Sequence, residues 1–244
     1  MHHHPIPWRE RPVSYFWSGD AIRSRSVSDT VIAGKLEIPE PPAWLQANWK
    51  RETVSDLALA PGDVEALTLT RARTRWPGFK QCVQAVSDWT QSLGLKEILA
   101  NSDIALMAAL GSRYHHDADH YGGMAFCNLF LSEDRGLDLH FPATGRRIPL
   151  TRGTVVIFDT AQPHTVVERL GLGLHQGNRL TDHDRTQIFL TWELPIENGD
   201  VGHALCIDFD TDPATALGLD EEQVWLHGNR VSVCPASGAW HTMA

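Results

Sequence analysis

Positive charge is scarce in this sequence. There are 21 lysines and arginines against 30 aspartates and glutamates, so the formal net charge is -9 and the sequence pI is about 5.8. Proteins that work on nucleic acids or anionic lipids carry clustered basic residues. We therefore expect no nucleic-acid partner. The sequence also lacks a long hydrophobic run: its longest aliphatic stretch, residues 104–110, is far below the roughly 20 residues of a membrane span, so we expect no membrane partner.

Cysteine is scarce as well. The four cysteines are scattered and include no C-x-x-C pair, which argues against a zinc ribbon or a thioredoxin-like redox centre. Isolated thiols in a chain of this length are typical of a reducing compartment. The first residues show no apolar segment of the kind found in secretory signals. Together these absences predict a soluble, cytoplasmic protein.

What is present is a series of short apolar segments after residue 100. They alternate with glycine- and aspartate-containing turn signals, which is typical of a β-sandwich, jelly roll or barrel rather than of βαβ units. One amphipathic helix is predicted earlier, at 77–99, after a strand at 30–38. The predicted later strands are 104–110, 124–131, 137–141, 146–149, 154–158, 165–168, 186–194 and 204–209.

These patterns predict one domain over 1–244. Within it we expect an N-terminal extension with supporting helices at 1–100, a jelly-roll core at 101–210 and a C-terminal extension at 211–244. The core is interrupted by a glycine-rich polar segment at 170–184. Long loops inside compact β domains are often binding loops or lids, so we expect this segment to take part in substrate selection.

The densest polar cluster is at residues 113–120. In an extended segment, side chains two residues apart share a face, so His115 and Asp117 point the same way. An imidazole and a carboxylate at this spacing supply two of the three ligands of the two-His-one-carboxylate site that binds non-haem Fe(II). A third ligand is expected from His164, which follows an apolar strand and a proline-containing turn. Asp119 shares the face of Asp117, whereas His116 and His120 face the other way.

Three further residues are candidates for ligand binding. Arg185 opens an apolar strand, where an unpaired guanidinium is costly; the carboxylate of a small diacid would offset that cost through a bidentate pair. Asn128 is a polar residue inside an apolar strand, which indicates an inward hydrogen bond to a ligand or within the core. Tyr114 flanks the His-Asp cluster, either as a hydrogen-bond donor to a co-substrate or as an aromatic at the barrel rim.

In this order, the motifs of residues 111–195 resemble the catalytic core of the Fe(II)/2-oxoglutarate-dependent oxygenases: His115-x-Asp117, a strand-rich interval, the distal His164 and the late Arg185. The resemblance implies a mainly β protein with flanking helices and a double-stranded β-helix, a jelly-roll or cupin-like barrel. It also implies Fe(II) on the two histidines and Asp117, 2-oxoglutarate as co-substrate and molecular oxygen. The activity implied is dioxygenase oxidation, most simply hydroxylation, of a C–H bond in a small-molecule or amino-acid-like substrate, with release of succinate and CO2.

Two questions stay open at this level. The 21-residue interval from His164 to Arg185 is longer than is usual in that family, so Arg169 or Arg179 are alternative partners for 2-oxoglutarate. The alternative functions are a cupin-type metal-dependent dioxygenase or isomerase, and a non-catalytic jelly-roll binding module. The sequence specifies neither the substrate nor the oligomeric state.

Overall fold

A computed structural model describes residues 11–100, 102–169 and 185–243. The strands are β1 Val13–Ser18, β2 Ala21–Ser26, β3 Val31–Lys35, β4 Val64–Leu67, β5 Ile104–Ala109, β6 Met124–Phe130, β7 Leu137–Phe141, β8 Arg146–Pro149, β9 Thr154–Asp159, β10 Thr165–Glu168, β11 Gln187–Pro195, β12 Gln223–Leu226, β13 Asn229–Val233 and β14 Trp240–Thr242. The helices are α1 Ala43–Arg51, extended by a π-helical turn at Glu52–Asp56, α2 Leu69–Arg75, α3 Gly78–Ser92, α4 Ala118–Tyr121, α5 Gly199–Ala204 and α6 Pro213–Ala216.

The centre of the fold is a double-stranded β-helix, as predicted. Its larger sheet has six antiparallel strands in the order β3-β9-β6-β11-β5-β4, and its smaller sheet has three in the order β10-β7-β8. Because side chains alternate along a strand, the two faces of β11 lie in different environments. Ile188, Leu190 and Trp192 enter the main hydrophobic core, whereas the residues between them face the space between the two sheets.

A five-stranded sheet joins the two ends of the chain, in the order β14-β13-β12-β1-β2. The N-terminal strand β1 therefore pairs with β12, which begins at residue 223. In addition, β3 and β4 belong to the six-stranded sheet, although both lie before residue 101. The predicted division at residue 100 thus does not follow the sheets, because the N-terminal segment supplies two strands of the core. The sequence predicts the strand at 30–38 but not its pairing with the distant β9, and it does not predict β4.

Helix α3 covers the outer face of the larger sheet. Its apolar stripe buries Phe79, Cys82 and Val86 in the main core. The packing is close: a Cβ atom on Gly34 of β3 would lie 2.7 Å from the indole nitrogen of Trp89. The helix ends at Ser92 rather than at 99, because Gly94 adopts a positive φ of 84°. None of the helices in the described residues is both long enough and apolar enough to cross a membrane.

Most predicted core strands are confirmed, three of them at the predicted bounds: Leu137–Phe141, Arg146–Pro149 and Thr165–Glu168. The predicted strand at 204–209 is wrong. Helix α5, capped by Asn198, ends at Ala204, a turn follows in which Cys206 has a positive φ of 54°, and only Phe209 forms a β-bridge, with Arg25. The segment 170–184 lies outside the described residues.

Candidate active site

Three predicted ligands meet at one end of the double-stranded β-helix. The donor atoms of His115, Asp117 and His164 all lie within 4.8 Å of one another. The Nε2 atom of His115 is 3.7 Å from one carboxylate oxygen of Asp117, and the Nε2 atom of His164 is 3.5 Å from the other. Two imidazoles and one carboxylate in this arrangement match the donor set that non-haem Fe(II) prefers. The residues present therefore fit a divalent iron ion.

Backbone carbonyls fix the orientation of both imidazoles. The Nδ1 atom of His115 lies 2.7 Å from the carbonyl oxygen of Arg113, and the Nδ1 atom of His164 lies 2.9 Å from that of Gln162. Each carbonyl can only accept, so each Nδ1 carries the proton and each Nε2 keeps a free lone pair. This is the usual way in which a protein orients a metal-binding histidine.

The main chain sets the spacing of the three ligands. His115 and His164 form a reciprocal antiparallel bridge, with N–H to carbonyl distances of 3.1 and 3.0 Å. The N–H of Asp117 donates to the carbonyl of Thr160 at 2.8 Å, and the Thr160 hydroxyl donates to the carbonyls of Tyr121 and Met124. Residues far apart in sequence are thus held together by backbone hydrogen bonds and by the hydroxyl of Thr160.

Burial favours the neutral, metal-binding form of His164. It lowers the pKa of this imidazole from 6.5 to about 4, against the opposing effect of the nearby Asp117 carboxylate. His164 is therefore uncharged at neutral pH, and a metal ion does not have to displace a proton from it.

A buried ion pair that sequence analysis missed supports this end of the barrel. The guanidinium of Arg25 and the carboxylate of Asp159, both with fully buried side chains, form two hydrogen bonds of 2.7 Å. Asp159 also accepts from the backbone of Ser28 and Ala161. The pair thereby ties β2 to the end of β9, just before the turn that carries His164. The two residues are 134 positions apart, and no local pattern connects them.

A cavity of about 320 Å³ extends from the three ligands into the space between the sheets. Its walls are mostly apolar, with Phe130, Phe158 and Phe189 among them. Two amides stand out: among the described residues, neither polar atom of the fully buried Gln187 side chain has a hydrogen-bond partner, nor does the Oδ1 atom of Asn128, which is 7% exposed. Buried polar atoms are rarely left unpaired in proteins. These two amides indicate a cavity shaped for a ligand with polar groups.

The other residues of the His-Asp cluster lie outside the ligand set. His116 accepts a hydrogen bond from the backbone of Ala118 and stacks near Trp240. The extended geometry stops at Asp117, because Ala118–Tyr121 forms α4. Asp119 and His120 therefore point into solvent, and the prediction that Asp119 shares the face of Asp117 is wrong.

The predicted co-substrate residues are placed differently from one another. Asn128 lines the cavity. Tyr114 does not; its hydroxyl lies 2.7 Å from the Nδ1 atom of His140. Arg185 pairs with Glu168 at the end of β10. Arg169 is held by Asp134 and Asp138.

Positive charge is therefore absent from the cavity wall as far as the chain is described. No lysine or arginine of the described ranges lines it. The third candidate, Arg179, lies outside those ranges, so the cationic partner expected for 2-oxoglutarate is not among the lining residues.

The structure thus defines a double-stranded β-helix with the His-x-Asp…His constellation of the Fe(II)/2-oxoglutarate oxygenases at one end. No family model matches the sequence, and no curated protein does. Among solved structures, a Pseudomonas putida prolyl-4-hydroxylase is similar, with 18% identity, a TM-score of 0.39, and 68% of this chain and 92% of that chain covered. The viral collagen prolyl hydroxylase of Paramecium bursaria Chlorella virus-1, solved with 2-oxoglutarate, has 11% identity and a TM-score of 0.39, with coverage of 68% and 95%. The non-heme alpha-ketoglutarate-dependent epimerase of nogalamycin biosynthesis has 14% identity and a TM-score of 0.34, with coverage of 69% and 79%.

Proposed function

We propose that this protein is an Fe(II)- and 2-oxoglutarate-dependent oxygenase that oxidises, most simply by hydroxylation, a C–H bond of a small-molecule or amino-acid-like substrate. The observation that carries the proposal is the convergence of His115, Asp117 and His164 within 4.8 Å at the mouth of a cavity. In this chemistry a ferrous ion with three protein ligands and open positions couples the oxidative decarboxylation of 2-oxoglutarate to substrate oxidation, releasing succinate and CO2.

The residues of the chain have distinct parts in this proposal. Asp117 supplies a carboxylate oxygen, and the two histidines supply neutral Nε2 atoms that their backbone partners aim inward. Phe126, Phe158 and the other apolar side chains of the cavity exclude water from the reacting groups. The fold thus provides a preorganised ligand set next to a dry space of the size of a small organic molecule.

We propose Arg185 as the partner of the far carboxylate of 2-oxoglutarate. It lies two residues before Gln187, the first residue of β11 and a residue of the cavity wall. To bind the co-substrate it has to exchange its ion pair with Glu168 for one with the ligand. Gln187 adds to the cavity wall an amide without a partner among the described residues, and its N–H donors complement a carboxylate.

The test is a mass-spectrometric screen of candidate substrates with Fe(II), 2-oxoglutarate and oxygen. A product heavier by one oxygen atom, formed together with succinate, supports the proposal. A metal-free chain that takes up no Fe(II), and that binds its ligand equally well after Asp117→Ala, indicates a jelly-roll binding module instead.

We also propose a cytoplasmic location. All four cysteines are free, and Cys82 and Cys127 are buried as small apolar side chains. Burial raises the pKa of the Cys82 thiol to about 12, which keeps it protonated and unreactive. These features suit a reducing compartment.

A further inference from the structure

A carboxylate on the cavity wall lies at the metal end. Glu193 pairs in register with Phe126 across β11 and β6, and Phe126 pairs with Phe158 across β6 and β9. The Phe158 ring contacts the His164 ring with centroids 4.8 Å apart. Glu193 therefore belongs to the same level of the barrel as the metal ligands.

This carboxylate has no partner within the described ranges. Glu193 makes no hydrogen bond or ion pair there, although it is only half exposed and lines the cavity. A charge of the same sign lies close to it: Trp192 pairs with Ile104, which brings Asp103 next to Glu193. Burial and Asp103 both raise the pKa of Glu193. Like charges facing each other across strands are destabilising, so this arrangement has an energetic cost without a structural benefit.

A second acceptor lies one level deeper on the same wall. Asn128 pairs with Thr191, two residues before Glu193 on β11, so the two side chains are diagonal cross-strand neighbours. Asn128 is 7% exposed, and its Oδ1 atom has no hydrogen-bond partner within residues 11–100, 102–169 and 185–243. Two hydrogen-bond acceptors, one of them charged, thus face the cavity next to each other.

We propose that Glu193 and Asn128 bind a positively charged N–H group of the substrate, an ammonium or a guanidinium. Such a group donates several hydrogen bonds and carries the charge that neutralises Glu193. The lining residues of the described chain include no lysine or arginine to compete for this carboxylate. The inference rests on the proposed oxygenase function and narrows its substrates to cationic small molecules.

The test compares ligands that differ in charge but little in shape. The pairs are phenethylamine and phenethyl alcohol, isoamylamine and isoamyl alcohol, and putrescine and 1,4-butanediol, with phenylpropionate as the anionic analogue. Affinities are measured by calorimetry on the full chain with Fe(II) and 2-oxoglutarate under anaerobic conditions. We expect the cation of at least one pair to bind about tenfold more tightly than its neutral partner, an energy of about 1.4 kcal/mol.

Variants assign this preference to the two residues. Glu193→Gln keeps the side-chain shape and is expected to abolish the preference. Asn128→Ala is expected to weaken cation binding, with the cation still bound more tightly than its neutral partner. Glu193→Lys is expected to favour phenylpropionate. Glu65→Gln, an exposed carboxylate on the outward side of β4, is the matched control and leaves the preference unchanged.

Any one of three results overturns the inference. The two members of every pair bind equally, the preference for the cation survives Glu193→Gln, or no cation binds at millimolar concentration. The visible charge-transfer band of Fe(II) with 2-oxoglutarate is recorded on the same samples. If the band is present and cations do not bind, only the substrate inference fails. If the band is absent, the oxygenase proposal fails independently of the calorimetry.

Discussion

The two ends of the cavity are built in opposite ways. At the metal end, His115, Asp117 and His164 are each held by backbone hydrogen bonds, and a buried ion pair supports the turn behind them. At the far end, the buried amide of Gln187 has no partner in the part of the chain that the structure describes, and the nearby Arg185 is paired with Glu168. The three metal ligands are positioned by the protein alone, whereas the far end leaves a buried amide without a partner among the described residues.

This difference separates what the fold determines from what a ligand has to determine. A preorganised metal site binds its ion without reorganisation of the protein. At the far end, the Gln187 amide lacks a partner among the described residues and the Arg185 guanidinium is paired with Glu168. Both side chains therefore have to change their contacts when a ligand binds. We therefore expect substitutions at the metal end to change metal binding and stability, and substitutions at the far end to change co-substrate affinity alone.

The largest expected effect is the loss of iron. His164→Ala and Asp117→Ala each remove one of three ligands, so both iron retention and turnover should be abolished. Iron is measured per chain after anaerobic loading and desalting. His120→Ala is the control, since this exposed histidine lies outside the ligand set. Retention of one iron per chain in His164→Ala would contradict the assignment.

The next effect concerns the support behind the metal end. Arg25→Ala leaves the fully buried Asp159 carboxylate without its cation, which should lower the free energy of unfolding by about 3–5 kcal/mol. Denaturant unfolding of the metal-free chain measures it. The exposed pair of Arg230 and Glu221 in the same sheet is the control, and Arg230→Ala should cost about 1 kcal/mol or less. If Arg25→Ala and Arg230→Ala lower the free energy of unfolding equally, the buried ion pair stabilises the fold no more than the surface pair does.

The third effect is a pH dependence of the metal-free chain. The folded-state pKa of His164 is about 4, below the unfolded value of 6.5, so the unfolded state binds the proton more tightly. The contribution of His164 to stability is present above pH 6.5 and is lost as the pH falls towards 4, by up to about 3 kcal/mol. The measurement is the difference between the unfolding free energies of the native chain and His164→Asn across this window. A difference in unfolding free energy that does not change with pH would contradict the lowered pKa of His164.

The smallest effect belongs to the far end. Arg185→Ala should raise the 2-oxoglutarate concentration needed for half-saturation by about tenfold, the loss of one charge-assisted pair, while iron stays bound. The charge-transfer band gives both quantities. Arg169→Ala is the comparison, because Asp134 and Asp138 already hold that guanidinium. An unchanged requirement in Arg185→Ala would transfer the role to Arg169 or Arg179.

The local chemistry of the site was predictable, because it depends on short-range spacing. His115-x-Asp117 lies on one face for reasons of strand geometry, and His164 follows a strand that is apolar throughout. The short core strands were predictable as well, since turn residues bound them. The place of Asp119 was not, because α4 begins directly after Asp117 and ends the alternation.

Long-range pairing was beyond the sequence pattern. Nothing near Arg25 indicates Asp159, and nothing near β1 indicates that β12 pairs with it. The same holds for Glu193. The sequence shows a charged residue near the end of an apolar strand, but only the register against β5 and β6 places it beside Asp103 and Asn128 on the cavity wall.

The most direct test of the central claim is a crystal structure grown anaerobically with Fe(II) and 2-oxoglutarate. The account predicts one ion bound by the Nε2 atoms of His115 and His164 and by a carboxylate oxygen of Asp117, with the 2-oxo acid in the adjacent cavity. An ion bound elsewhere, or these three side chains too far apart to share one, would contradict it.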